Sequence, residues 1–500
     1  MSMPAELVNL QPTLADLLHG YAEAPAIPVH GIASDSRNLQ NGFLFLAVQG
    51  LTSHGLDYLE QAREAGVCAI AWDASTGKRP DDIGVPLFAV DDLAARQGEI
   101  ANRFFGCPSQ ALGVIGITGT NGKTTVAWMI AQALELIGEK CAYLGTLGYG
   151  VDEVQPSSGM TTPPVMELQG RLAEFVHAGA KAAAIEVSSH ALAQGRVDGV
   201  RFDTTMFTNL SRDHLDFHTD MRDYFESKAR LFLDYESQHR IVNVDSDYGA
   251  QLAAKCGANV ITVATRSDRV ANEQSHVCVR SVVASEQGSA VTFTSSWGDG
   301  QFTLPLPGDF NVANAIMVLA LLLNKGVALE KACDVMSQLS APPGRMQRVA
   351  MDGPAVFVDY AHTPTAIEGA LRALRAHCRG KLWCVFGCGG DRDTGKRAQM
   401  GRAAESRADR VVITTDNPRS EAPGAIINDT VGGLEHPEQV TIIEDRAAAI
   451  AWAVDQADAH DVVLVAGKGH EDYQEAQGKR LPFSDYAVAE KALAAREGAQ

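Results

Sequence analysis

The chain has 500 residues, 46% hydrophobic and 21% charged, an ordinary globular balance that excludes disorder as the main state. Its 42 Lys and Arg against 61 Asp and Glu leave a net charge of −19. Such a chain repels nucleic acid and anionic lipid overall, so an anionic ligand must be held by local structure.

The opening stretch MSMPAELVNLQPTLADLL has no basic start followed by an apolar core, so no signal peptide is expected. The longest apolar run, Ala315 to Leu323, is about half a membrane span and reads as a buried helix. Nine cysteines without framework spacing read as reduced thiols of a cytoplasmic protein. Cys384 and Cys388 form a C-x3-C pair with no second pair nearby, which fits thiols at a strand end better than zinc.

Short β-branched runs alternate with amphipathic stretches, the pattern of an α/β protein with mainly parallel sheets. Strands are expected in GFLFLAVQG (42–50) and VCAIAW (67–72), with a helical stretch between Gly55 and Gly66. A break falls near Phe105–Pro108. A second unit begins with ALGVIGIT (111–118) and continues through AAAIEV (182–187), DTTMFTN (203–209) and RIVNVD (240–245). The stretch 288–304 reads as a hairpin turning at Gly298–Gly300, followed by a helix from about Val312 to Leu323. A second break sits at Ala341–Gly344. The third unit carries strands at 355–360, 381–387, 410–415, 440–445 and 461–467, with helices at 365–377 and 446–457 between them. This resembles a dinucleotide fold, but GCGGD (387–391) does not match G-x-G-x-x-G, so no nicotinamide site is expected.

The most specific local signal is GITGTNGKTT, Gly116 to Thr125, between a β-branched strand and a helix. Gly119 and Gly122 let backbone N–H groups curl around one anion, and the helix N-terminus adds about half a positive charge. Lys123 can reach terminal phosphates and the Thr124 hydroxyl can bind Mg²⁺. The spacing departs from G-x4-G-K-[ST], because Ile117 stands six residues before Lys123. The context still predicts a nucleotide triphosphate site.

Glu186 ends one strand, and the next leads into TNLSRDHLDFH with Asp213, His214 and Asp216. Both strand ends fall on the rim where open α/β sheets hold ligands. A carboxylate and an imidazole there could bind Mg²⁺ beside Thr124. Lys228 lies on an amphipathic helix in DYFESKARLF. Its spacing fits equally a surface lysine paired with Glu226 and a charge on the phosphate side.

Together GTNGKTT (119–125), EVSSH (186–190), TNLSRDHLDFH (208–218), Asn311 and Asn314 in GDFNVAN, PPGRM (342–346) and DYAHTP (359–364) resemble the Mur ligases. These are ATP-dependent amide-forming enzymes that build the peptidoglycan peptide. The resemblance runs through the whole chain in order. It implies three α/β domains: a small N-terminal domain for a UDP-sugar substrate (1–108), a central P-loop ATPase domain with a parallel sheet (109–341) and a Rossmann-like domain for the incoming amino acid (342–500). GCGGDRD (387–393), TTDNPRSE (414–421) and AGKGHEDYQ (466–474) are similar to the tripeptide-forming branch, and the DNPR form resembles the variant that adds meso-diaminopimelate rather than L-lysine.

The resemblance also implies residue roles. ATP contacts fall on Gly119, Thr120, Asn121, Gly122, Lys123, Thr124, Thr125, Asn311, Arg345 and Asp359. Metal ligands fall on Thr124, Glu186, His214 and Lys228, the last as a carbamate formed with CO₂. Contacts to the UDP-muramoyl dipeptide fall on Ser34, Ser36, Leu51, Thr52, Ser53, Thr161, Thr162, Ser188, Gln194 and Arg196. The segment 51–53 and Met160 depart from the family pattern. Diaminopimelate contacts fall on Arg392, Asp416, Asn417, Pro418, Arg419, Gly467 and Glu471. The implied reaction activates the acceptor carboxylate as an acyl phosphate, which the amine of the amino acid then attacks. Lys123 and Mg²⁺ offset the repulsion between two anions, and His214 serves the metal or phosphate rather than acting as a general base. A cytoplasmic monomer acting on small molecules is expected, with neither nucleic acid nor membrane insertion. The competing readings are an L-lysine-adding version, a folylpolyglutamate-type ligase, and a P-loop regulatory NTPase.

Overall fold

A computed structural model describes every residue except 1–10, 51–52, 157–158, 270–274, 350–351 and 498–500. The reading of the first residues as lacking a leader, and the calls on Leu51 and Thr52, therefore lie largely or wholly outside the described residues. The chain separates into two compact units, 1–262 and 263–500.

The first unit opens with a four-stranded parallel sheet of β1 (Gly31–Ala33), β2 (Phe43–Ala47), β3 (Ala69–Asp73) and β4 (Leu87–Val90), in that order. All five residues of β2 are buried, as a parallel strand covered on both faces requires. One face packs on Leu14, Leu17 and the helix Leu93–Phe104, whose core also takes in Met166 and Ala173 of the helix Val165–His177. The other face packs on Ala62 and Val67.

The second sheet of this unit holds β5 (Gly113–Thr118), β6 (Cys141–Gly145), β7 (Gly148–Gly150), β8 (Ala182–Glu186), β9 (Phe202–Phe207) and β10 (Ser237–Asn243), in the order β10-β9-β5-β8-β6-β7. Only β6 and β7 pair antiparallel. The boundary between the units falls within β11 (Ile261–Ala264). Strand β5 has β8 on one side and β9 on the other, so the chain winds away from it in both directions. A ligand crevice forms at such a switch point, beyond the carboxyl ends of the strands.

The second unit begins with an antiparallel meander of β12 (His276–Ser285), β13 (Gly288–Ser295) and β14 (Gly300–Leu304). The expected hairpin is β13–β14. Strand β12 is an addition to the expected hairpin; its first half is buried, and Val282 and Val283 in its second half are exposed. The apolar helix runs Asp309–Asn324, starting three residues before the expected Val312. A six-stranded sheet follows: β15 (Gln347–Arg348), β16 (Ala355–Asp359), β17 (Leu382–Phe386), β18 (Arg410–Ile413), β19 (Thr441–Ile442) and β20 (Val462–Ala466), ordered β15-β16-β20-β17-β18-β19. It is parallel except for the β15–β16 pair. All five strands expected here are present, though the fourth, in VTIIED, has only two paired residues. A hairpin, β21 (Tyr473–Ala476) and β22 (Lys479–Pro482), follows the sheet. Among the described residues no helix is long and apolar enough to cross a membrane.

Candidate active site

The phosphate loop leaves β5 at Thr118 and enters the helix Lys123–Leu136. Gly119 has φ 148° and Gly122 has φ 86°, conformations that glycine reaches without steric cost. A side chain at Gly119 would collide with the Thr208 hydroxyl. The loop is tied to the end of β9: Thr120 N–H donates to the Asn209 carbonyl (2.9 Å), Asn121 N–H to Asn209 Oδ1 (3.0 Å), and the Thr208 hydroxyl to the Asn121 carbonyl (2.6 Å). Lys123 Nζ folds back onto the carbonyls of Gly119 and Thr120, each at 2.9 Å. Thr125 follows in the first turn of the same helix.

Glu186 closes β8 and is fully buried. Its Oε2 accepts from the Thr124 hydroxyl at 2.9 Å, and its Oε1 accepts from Tyr143 Oη at 2.6 Å and from Thr146 N–H at 2.9 Å. A buried carboxylate this well supplied with donors is held in one orientation. Sequence reading placed Glu186 on the rim but missed Tyr143 and Thr146, which lie in another strand and its turn. The oxygen donors of Thr124 and Glu186 suit Mg²⁺, which takes few protein ligands. Among the described residues no group of three or more His, Cys, Asp or Glu side chains could hold a metal by itself.

Lys228 is not the surface lysine of the bland alternative. It lies on the helix Met221–Leu233, 1% exposed. Its Nζ donates to the Gly119 carbonyl at 2.9 Å and sits 4.6 Å from the Tyr224 ring centre. Burial, and secondarily the Lys123 charge beside it, push its pKa well below the usual lysine range. That shift favours the neutral amine over the ammonium more than at an exposed lysine. Tyr224 links the parts, because its hydroxyl lies 3.2 Å from Thr120 Oγ1 and its ring 6.0 Å from that of His214.

His214 is exposed, at a positive φ of 52° in the loop after β9. Its Nε2 is 3.6 Å from Asp213, and its ring meets His190 edge-on at 5.0 Å. His190 in turn lies against Phe217 at 4.2 Å. Burial, then His214 and His218, lower the His190 pKa.

Thr162, Ser188, Gln194 and Arg196 form one connected group. The Thr162 hydroxyl donates to the Glu186 carbonyl (2.8 Å) and accepts from Ser188 N–H (3.1 Å). Arg196 donates to the Thr162 carbonyl (2.8 Å) and to Gln194 Oε1 (2.7 Å). Thr161 Oγ1 lies 3.2 Å from that of Thr146. Ser34, Ser36 and Ser53 lie in connections of the first sheet, Ser36 opening the short 3-10 helix Ser36–Asn38. The Ser36 carbonyl accepts from Gln61, and Ser53 Oγ accepts from Tyr58 Oη.

In the second unit, Asn311 is buried and donates to the Pro307 carbonyl at 2.8 Å. Arg345 stacks 4.9 Å over Tyr360. Asp359 accepts from Met346 N–H at 2.7 Å, and enclosure pushes its carboxyl up to about 6 despite nearby Arg345.

Beyond the ends of β17, β18 and β20 lies a cavity of about 430 Å³. Arg392, Asp416, Asn417, Arg419, Gly467 and Glu471 all line it, and Pro418 does not. Arg419 has φ 52°, donates to the Gly390 carbonyl at 2.7 Å, and is held by its own N–H to Glu475 of β21. It is not a solvated turn residue. Asp416 is buried, which raises its pKa against the pull of Arg446 and Lys468. Behind it Arg446 and Asp485 form a fully buried ion pair at 2.7 Å. Sequence reading missed Arg446, Asp485 and Lys468, since nothing in their spacing separates them from surface charges.

Models of three family segments match in chain order: the Mur ligase family catalytic domain over residues 28–105, the Mur ligase middle domain over 117–322, and the Mur ligase glutamate ligase domain over 344–469. The chain is 45% identical over 471 residues to a Coxiella burnetii protein named UDP-N-acetylmuramoyl-L-alanyl-D-glutamate–2,6-diaminopimelate ligase, covering 93% of this chain and 96% of the relative. It is 44% identical over 483 residues to a protein of the same name from Pseudomonas putida, with 95% and 97% covered. A solved structure bearing that name superposes with TM-score 0.76 at 32% identity, over 98% of this chain and 100% of the other. Likeness of that extent, through all three matched segments, means that this chain belongs to the Mur ligase family.

Proposed function

We propose that the chain is an ATP-dependent ligase joining 2,6-diaminopimelate to UDP-N-acetylmuramoyl-L-alanyl-D-glutamate. The observation that carries this reading is the composition of the cavity in the second unit. Two arginines, Arg392 and Arg419, share it with two carboxylates, Asp416 and Glu471. An arginine fork grips a carboxylate through two parallel N–H bonds, and a carboxylate accepts from an ammonium. That set suits a ligand with an amino and a carboxylate group at its distal end. L-lysine, with only an amine there, offers no distal carboxylate for an arginine fork to grip.

The acceptor carboxylate attacks the γ-phosphorus of ATP, the P–O bond to ADP breaks, and an acyl phosphate forms. The amine of diaminopimelate then attacks the acyl carbon, losing a proton as phosphate leaves. Lys123 and the loop N–H groups neutralise charge on the phosphates, so positioning and electrostatics supply most of the acceleration. Thr124, Glu186, His214 and Lys228 would hold Mg²⁺. When bound, the ion neutralises negative charge where the two anions meet. Lys228 fits this role as a carbamate: its neutral amine attacks CO₂, a C–N bond forms, a proton leaves, and a cation becomes an oxygen ligand. Asn311, Arg345 and Asp359 are assigned to the nucleotide. Ser34, Ser36, Ser53, Thr161, Thr162, Ser188, Gln194 and Arg196 are assigned to the UDP-linked acceptor. Segments 1–108, 109–341 and 342–500 would serve acceptor, ATP and amino acid, in a cytoplasmic monomer.

The test is phosphate release with ATP, Mg²⁺ and the acceptor, comparing meso-diaminopimelate with L-lysine. Release with diaminopimelate alone is expected. Release with lysine alone would keep the ligase and overturn the cavity reading. Release without any amino acid would point to a nucleotide hydrolase.

A further inference from the structure

Lys468 is fully buried behind the amino-acid cavity and does not line it. Its Nζ donates to Asn417 Oδ1 and to Glu471 Oε2, each at 3.0 Å, and lies 5.4 Å from the Tyr473 ring centre. Asn417 Oδ1 also accepts from Glu475 N–H at 2.9 Å, while its Nδ2 donates to Glu471 Oε2 at 2.8 Å. A lysine ammonium has donors only. It therefore compels the Asn417 amide to turn its oxygen inward and its NH₂ toward Glu471. Among the described residues the Asn417 and Lys468 side chains both donate to Glu471 Oε2, which leaves Oε1 for a ligand. The lysine charge also balances Glu471 close to the buried Asp416, where a second bare carboxylate would be costly.

We propose that Lys468 is a positioning residue for the amino-acid cavity, fixing the Asn417 amide and reserving Glu471 Oε1 for the ammonium of the incoming amino acid. The inference rests on the reading of this cavity as the amino-acid site. Without Lys468 the amide can rotate, and Glu471 can turn Oε1 away or repel Asp416. The chemistry at the phosphate loop would be unaffected, because Lys468 acts only through these two side chains.

The experiment measures KM separately for the amino acid, ATP and acceptor in the full chain and in Lys468→Met, using whichever of diaminopimelate and lysine the wild type accepts. A failure of the amino-acid assignment is thereby seen in the wild type and kept apart from a failure of the Lys468 role. The expected result is a rise of tenfold or more in KM for the amino acid, with KM for ATP and acceptor within twofold. Glu471→Gln combined with Lys468→Met should raise it little beyond the larger single effect, because both changes remove one contact. An equal rise in all three constants, or none, would overturn the proposal. Lys468→Gln, which keeps a donor for Asn417 without the charge, is the second variant. If Lys468→Met does not fold, a Lys468→Gln protein with an unchanged KM for the amino acid overturns the proposal, and an intermediate rise supports it.

Discussion

Lys228 Nζ donates to the carbonyl of Gly119, the first residue of the phosphate loop, across 2.9 Å. The two residues are 109 positions apart in sequence. A helix that reads as amphipathic from its pattern thus carries a buried amine to the glycine-rich loop between β5 and the helix Lys123–Leu136. Lys228→Ala should abolish ligation. Lys228→Arg should as well, since a guanidinium stays charged and forms no carbamate. The check is carbon-13 NMR of wild type in labelled bicarbonate, where a carbamate signal absent from Lys228→Arg is expected. Full activity of Lys228→Arg would refute the carbamate.

Glu186 is held by Thr124, Tyr143 and Thr146. Glu186→Gln preserves shape but removes the charge. Its expected effect is a loss in kcat of at least ~100-fold with little change in thermal stability. Gly145→Ala should do similar damage from the neighbouring strand, because a side chain there strikes Glu186 Oε1. Steady-state phosphate release reads both variants, and normal kcat in Glu186→Gln would remove the carboxylate from the reaction.

Arg419 lines the cavity proposed for the amino acid. A charged hydrogen-bonded contact contributes about 1.5–3 kcal/mol. Arg419→Ala should therefore raise KM for diaminopimelate by roughly 10- to 150-fold, leaving KM for ATP nearly unchanged. Equal losses for all substrates would mean that the bond to Gly390 and the fold of the DNPR loop matter more.

Asp359 gives a pH signature. Its carboxyl is pushed up to about 6 in the folded chain, against about 3.9 when unfolded. The native state binds the proton more tightly, so this group favours folding below about pH 4. That contribution is lost as pH rises through about 6. Asp359→Asn should gain stability relative to wild type between pH 4 and 7, on the order of 1 kcal/mol after allowance for solvent screening and the retained Met346 contact. Denaturant melts at the two pH values measure it. A difference independent of pH would exclude a raised carboxyl.

The Arg446–Asp485 pair is buried without exposure on either side chain. Removing one partner strands the other charge, so Asp485→Asn should lower stability by about 3–5 kcal/mol. Replacing both with apolar residues of similar volume should recover most of that loss. Thermal unfolding of the single and double variants checks this, and an additive loss in the double would contradict it.

The sequence alone determined the parts whose signal is local. A glycine-rich turn between a β-branched strand and a helix specifies the loop at 119–125, because only glycines reach those backbone angles next to Thr208. The buried strands of the third sheet were legible as apolar runs, whereas Arg392, Asp416, Arg419 and Glu471 were singled out by the resemblance of their motifs to the Mur ligases. The tertiary structure decided what depends on residues distant in sequence. Pattern left Lys228 open between surface and site; burial and the Gly119 carbonyl resolved it. Tyr143 and Thr146 reach Glu186 because β6 pairs with β8. Lys468 and Arg446 look like ordinary surface charges in the sequence. Their burial follows from how β20, the helix Arg446–Gln456 and the helix Asp485–Glu497 pack, and a buried charge must be met by partners that no spacing rule announces.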